Sequence, residues 1–202
     1  KKIGNPPWDA ARQMWPAFAK AAGMATDSVT WVNIKPNAKI AALKSDSIAV
    51  TTSFYNIHFV FQKIFGDDMG FVAGKDLGVN PYGNSVIANG KYLKENPGVV
   101  KNFVKVTQKA YAACAKNADP CITALLDANS GLKRGSSMAN WALVKELMDA
   151  PSSRTGAIGY FDPARMDADY KLIEAYFKLK APFDIKQTYT NDFLDMSVKF
   201  SG

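Results

Sequence analysis

Lys2-Ile3-Gly4-Asn5-Pro6-Pro7-Trp8-Asp9 runs directly into Ala10–Ala22, and the reading of this stretch decides the fold. Lys2 to Gly4 start a short strand and Pro6-Pro7 turn the chain. Ala10, Ala11, Met14, Trp15, Phe18, Ala19 and Ala22 then form one apolar stripe at helical spacing, ended by Gly23. Pro16 sits inside the stripe and predicts a bend, because its nitrogen has no hydrogen to donate. A strand that turns at once into a helix aims the first helical N–H groups into the space beyond the strand end. Pro7-Trp8-Asp9 therefore read as a helix start that holds an anionic or polar group of a small ligand, with Trp8 as a stacking wall. The same residues also read as an aspartate that only caps a helix.

Further strands and helices alternate outward from this start. Val29 to Ile34 is β-branched and aromatic and predicts a strand, and Pro36-Asn37 open a short helix through Ile40, Ala41 and Leu43. Ser47 to Thr52 predicts the third strand, Phe54 to Phe65 a helix, and Gly70 to Ala73 a fourth strand after the Gly66-Asp67-Asp68 turn. This alternation predicts an α/β fold with a parallel sheet covered by helices. Such sheets bind ligands outside the carboxyl ends of their strands. Asn5 to Asp9 form one such end and Thr51 to Asn56 another. Their hydroxyls, amides and rings suit a small polar molecule. Neither stretch places a nucleophile beside a base.

Lys75 to Gly83 is rich in turn residues and reads as a crossing segment, from which Asn80, Tyr82 and Asn84 can reach a site. Asn84 to Asn89 predicts a fresh strand, and helices follow from Gly90, over Val99–Lys116 and over about 120–128, 135–149 and 163–178. Asp162 and Pro163 are a cap and a first helical residue, and Tyr189 to Leu194 predicts a short helix. One strand among several helices cannot make a balanced α/β domain, so further strands are expected from a segment outside this chain.

The 202 residues carry a formal charge of +7, with 48% hydrophobic and 21% charged residues. The lysines are scattered through amphipathic segments. No basic run tracks a phosphate backbone, which argues for a solvated basic surface and against nucleic acid. No apolar window is long enough to cross a bilayer. No signal peptide opens the chain, and its start on Lys1-Lys2 reads as the edge of a piece of something longer. Cys114 and Cys121 straddle a helix end and an Asn-Ala-Asp-Pro turn. They read as a disulfide closing a small loop or as two free thiols on neighbouring helices. With His58 as the single histidine, a zinc site is not expected.

The order and spacing of Lys2-Ile-Gly4, Thr30-Trp-Val-Asn33, Ala41-Ala-Leu-Lys44, Ser53-Phe-Tyr-Asn56, Tyr82-Gly-Asn84, Glu95-Asn-Pro97, Gly159-Tyr-Phe-Asp-Pro163 and Tyr189-Thr-Asn-Asp-Phe-Leu194 resemble the NMT1/THI5-like family. These are periplasmic solute-binding proteins of ABC importers, for thiamine pyrimidine precursors, aliphatic sulfonates and nitrate-like anions. The resemblance runs over almost the whole chain. It implies a type II periplasmic-binding-protein-like fold, in which two α/β lobes close over a ligand held in the cleft. Residues 1–78 then form one complete parallel-sheet lobe. Residues 79–202 form the hinge crossing and the helical C-terminal part of the other lobe, whose N-terminal part is missing from this chain.

The resemblance also implies a non-enzymatic receptor outside the cytoplasm, monomeric at full length, with a small-molecule ligand, an ABC permease as partner and no cofactor or metal. Its ligand residues are expected at Trp8, Asp9, Thr52, Ser53, Tyr55, Asn56, Asn80, Tyr82 and Asn84. Two departures from the family pattern stand out. Ala49 occupies a strand position where members often carry Asp, and the cysteine-rich segment of the thiamine-precursor synthases is absent. The alternative function is such a synthase, which needs a positioned base. A third possibility is pairing of an exposed sheet edge with another chain.

Overall fold

A computed structural model describes residues 1–177 and 179–202. The chain divides into two compact units: Lys1–Pro81 with Ala168–Phe183, and Tyr82–Asp167 with Asp184–Gly202.

The first unit is built on a three-stranded parallel sheet of β1 (Lys2–Asn5), β2 (Thr30–Asn33) and β3 (Val50–Thr51) in the order β2-β1-β3. Ile3 pairs with Trp31 on one side and with Val50 on the other, and Asn5 lies opposite Asn33. Gly4 is required in the central strand because a Cβ there would lie 2.5 Å from Ile48 Cδ1 and 2.7 Å from Ile34 Cδ1. Ile48 itself is buried, so it has little room to give way.

The helix predicted over Ala10–Ala22 is bent so far that it becomes two, α1 (Ala10–Gln13) and α2 (Trp15–Ala21). Pro16, in the first turn of α2, has no N–H for the Arg12 carbonyl, so the ladder stops at Met14 and restarts. Met14 and Ala17 pack with Val79 as a core, flanked by Phe18, Leu172, Tyr176 and Phe177. A 3-10 turn over Pro36–Ala38 leads into α3 (Lys39–Lys44), and another over Tyr55–Ile57 leads into α4 (His58–Phe65).

The strand predicted over Gly70–Ala73 does not form. Gly66, at φ +53, starts a 3-10 turn, and the chain then runs without ladder partners. Phe71 instead lies 4.2 Å from the His58 ring and 6.0 Å from the Tyr55 ring, centroid to centroid.

The second unit is helical: α5 (Gly90–Glu95), α6 (Pro97–Lys116), α7 (Ala118–Ala128), α8 (Arg134–Met148) and the start of α9 (Pro163–Tyr176). Asn89 caps α5 by accepting from the N–H groups of Lys91 and Tyr92, as its short amide side chain allows. Cys114 and Cys121 are joined by a disulfide that ties α6 to α7. A core of Ala115, Ile158 and Phe200 is closed by Ala112, Met148 and Val198.

Two sequence expectations are corrected in this unit. Asn84–Asn89 carries the β-branched Val86 and Ile87 but is no strand, because no neighbouring strand exists among the described residues of this unit, and Ile87 is 91% exposed. Tyr189–Leu194 makes bends and turns instead of a helix. Asn191 uses its side chain to bridge Phe161, donating to its carbonyl at 2.9 Å and accepting from its N–H at 3.0 Å. The end of the helix predicted to residue 178 falls at Tyr176, and Lys178 lies outside the described residues.

Candidate functional site

The carboxyl ends of β1 and β3 converge on a polar network. Asn5, wholly buried at the end of β1, donates from Nδ2 to Thr52 Oγ1. Thr52 Oγ1 donates in turn to Asp9 Oδ1 at 3.4 Å, and the same carboxylate oxygen accepts from the Ala11 N–H at 3.0 Å. Thr51 Oγ1 donates to the Gly4 carbonyl at 2.7 Å and lies 3.3 Å from Asn5 Oδ1. Lys39 reaches in from the start of α3, with Nζ 3.5 Å from Asp9 Oδ2 and donating to the Thr52 carbonyl at 2.8 Å.

The backbone explains this convergence. β1 and β3 are adjacent and parallel, so their last residues emerge side by side, and the Pro6–Asp9 turn folds Asp9 back over them. Lys39 is only 9% exposed, so its ammonium cannot reach bulk water freely and takes the carboxylate and the carbonyl instead.

Charge is balanced within the network. Asp9 caps α1, a helix of four residues, and pairs with Lys39. The N-terminal dipole of α1 is therefore already met by a carboxylate of the chain. The half-buried Thr51 and Thr52 are the accessible polar groups of the network, with the buried Asn5 amide and a compensated ion pair behind them.

Of the residues predicted for the site, Asp9 and Thr52 are brought into one network. Trp8 stands beside them in the turn, 73% exposed, with a free indole face. Ser53 is exposed, and its hydroxyl donates to the Phe54 carbonyl at 3.2 Å. Tyr55 stacks on His58 at 5.9 Å with ring planes 10° apart and meets Phe71 at a 37° tilt, so it belongs to an aromatic cluster, and the half-buried Asn56 follows it in the 3-10 turn. Asn80 is exposed near the end of the first unit.

Tyr82 and Asn84 belong to the second unit. There Tyr82 stacks edge-on against Phe161 at 5.1 Å and lies under the Arg165 guanidinium at 4.1 Å. Its hydroxyl accepts from the Asp162 N–H at 2.8 Å. Asn84 is exposed.

The sequence places Asn5 and Thr51 only within strand ends and does not single out Lys39. A usable signal existed for Lys39: it lies three and four positions before Ala42 and Leu43, so it occupies the inward face of α3.

The family model described as NMT1/THI5 like matches residues 1–120. The match takes in the whole sheet and the strand-end network and stops early in α7, short of the Gly159–Pro163 and Tyr189–Leu194 segments. No curated protein matches the chain.

Proposed function

The chain belongs to the NMT1/THI5-like family, and from that premise we propose that it is the substrate-binding component of an ABC-type importer. The family is periplasmic-binding-protein-like and includes both ABC solute-binding proteins and THI5-type enzymes, and it implies a small-molecule ligand. No helix among the described residues is long and apolar enough to cross a membrane.

On this reading the chain captures a small polar organic molecule against the carboxyl ends of β1 and β3 and presents it to a membrane permease outside the cytoplasm. The observation that carries it is the convergence of Asn5, Thr52, Asp9 and Lys39 at those ends, beside the exposed face of Trp8. Because Asp9 and Lys39 compensate each other, hydroxyls and a stacking ring do the recognition. That favours a flat, uncharged heterocycle such as a pyrimidine over a sulfonate, a carboxylate or nitrate. His58 is packed into one aromatic cluster with Tyr55 and Phe71, a packing role that favours a receptor over a thiamine-precursor synthase. The Cys114–Cys121 disulfide fits an oxidising compartment.

A thermal-shift screen against pyrimidines, sulfonates, carboxylates and nitrate tests the reading, since a ligand that binds only the folded chain must raise its melting temperature. A pyrimidine is expected to raise it, and Thr52→Ala and Trp8→Ala are each expected to weaken binding about tenfold, the value of one good polar or stacking contact. No shift from any of the four classes, or a shift that both variants leave intact, defeats the proposal. Mass analysis after long incubation should return ligand and chain unaltered.

A further inference from the structure

Beside the β2 edge of the sheet, wholly within the first unit, an open cavity of about 740 Å³ is lined by Arg12, Trp15, Thr26, Trp31, Tyr176 and Phe177 among others. We propose that this cavity is a second small-molecule site, separate from the strand-end network, and that it takes a planar aromatic carboxylate.

The apolar part of the argument rests on two indoles. The rings of Trp15 and Trp31 meet nearly at right angles, 82° apart with centroids 6.1 Å apart, and form a corner against which a flat ring can lie with its face on one and its edge on the other. This corner is already organised. Trp15 Nε1 donates to the Thr26 carbonyl at 2.7 Å, which locks the ring and removes its only polar group from competition. Tyr176 and Phe177 supply the remaining aromatic wall. A volume of this size holds a molecule of two or three fused rings and falls within the usual range of ligand pockets.

The polar part rests on Arg12. Its guanidinium carbon lies 4.8 Å from the Trp31 ring centroid, and Nη1 donates to the neutral Asn33 Oδ1 at 2.6 Å. None of the ion pairs among the described residues includes Arg12. The cation at the cavity wall therefore keeps its charge uncompensated, with planar donors still to offer. A carboxylate on an aromatic ring satisfies both halves of the cavity at once, whereas a cation is repelled and a neutral ring leaves the guanidinium without an anion.

The test uses the whole chain and two probes of one shape, 1-naphthoate and the uncharged 1-naphthamide, followed by ligand-observed NMR and by quenching of tryptophan fluorescence. The expected result is saturable binding of both, with naphthoate at least tenfold tighter. Arg12→Gln should remove that preference and Arg12→Lys should keep it. Trp31→Ala should weaken both probes at least tenfold, and Trp31→Phe should restore most of the loss. Near-ultraviolet circular dichroism checks that each variant is folded.

Absence of saturable binding, equal affinity for the two probes, or a preference that survives Arg12→Gln overturns the proposal. Thr52→Ala, which alters the strand-end network, should leave naphthoate binding unchanged. If Thr52→Ala abolishes that binding and Arg12→Gln does not, the probe sits at the strand ends and this second site falls while the receptor reading stands. A pyrimidine screen without a hit, beside intact naphthoate binding, has the opposite meaning.

Discussion

In the first unit the residues that matter meet from far apart in sequence: Asn5 bonds to Thr52 across 47 positions and Thr52 to Asp9 across 43. In the second unit most of the backbone is satisfied inside helices such as α6 and α8, and a disulfide joins positions separated by only 7. A sheet whose strands come from distant segments brings loop ends together and so makes a polar site as a by-product of strand pairing. A helical unit satisfies its backbone locally and needs a few long-range pins to hold its loops. Gln108 is such a pin, buried in α6, donating to the carbonyls of Ile158 at 2.9 Å and Asp195 at 3.3 Å and accepting from the Asp195 N–H at 2.8 Å.

This contrast can be broken most directly at Gln108. Gln108→Ala takes the partner from the Ile158 carbonyl and the Asp195 N–H, while the Asp195 carbonyl keeps the Val198 N–H, and should destabilise the second unit by about 3 kcal/mol. Urea unfolding measures the loss, and hydrogen exchange should place it in segments 157–162 and 193–200. A loss under about 1 kcal/mol would mean that helices and disulfide suffice without the pin. Replacing Cys114 and Cys121 together with Ser should cost about 2.5 kcal/mol through the freed loop of the unfolded chain. Exchange in β1 to β3 should stay as it was.

In the first unit, Lys39→Met should cost about 2 kcal/mol, because Asp9 keeps a partly buried charge without its partner. The same variant should raise exchange at Ala11 and around Thr52, and protection unchanged there would show that the network does not depend on the ammonium.

The smallest effect is expected from acid. The hydroxyl of Ser197 holds the Asp195 carboxyl below the usual carboxylate range, helped by the Ser197 N–H and the charge of Lys105. Because the folded chain favours the charged form, this contribution is complete above the usual range and drains away as pH falls through the depressed value, from about pH 4 downward. Ser197→Ala should therefore make stability less dependent on pH in that window. Melting temperatures at pH 5, 4 and 3 that fall equally in both forms would remove Asp195 from the account.

Local chemistry made much of the first unit legible. Pro6-Pro7, the capping Asp9 and the apolar spacing from Ala10 onward announce strand, turn and helix in a row, and Pro16 announces the break between α1 and α2. The network itself was half legible. Thr52 and Asp9 lie at strand ends, where open parallel sheets present ligand-binding groups. Lys39 reads in sequence as one more solvated lysine, and only the inward face of α3 sets it apart. Val86-Ile87 and Phe71-Val72 misled for one reason: strand propensity describes how a residue suits a pleated sheet, and a strand exists only where a neighbour supplies the other half of its hydrogen bonds.

The parallel α/β character of residues 1–52 and the helices from Gly90 to Tyr176 follow from residue spacing and turn chemistry, which act over a few positions. Which strands find partners, which lysine meets Asp9, and how two tryptophans and Arg12 come to wall one cavity were decided only when the chain closed on itself. Burial and pairing depend on groups that are distant in sequence, and no local pattern carries that information.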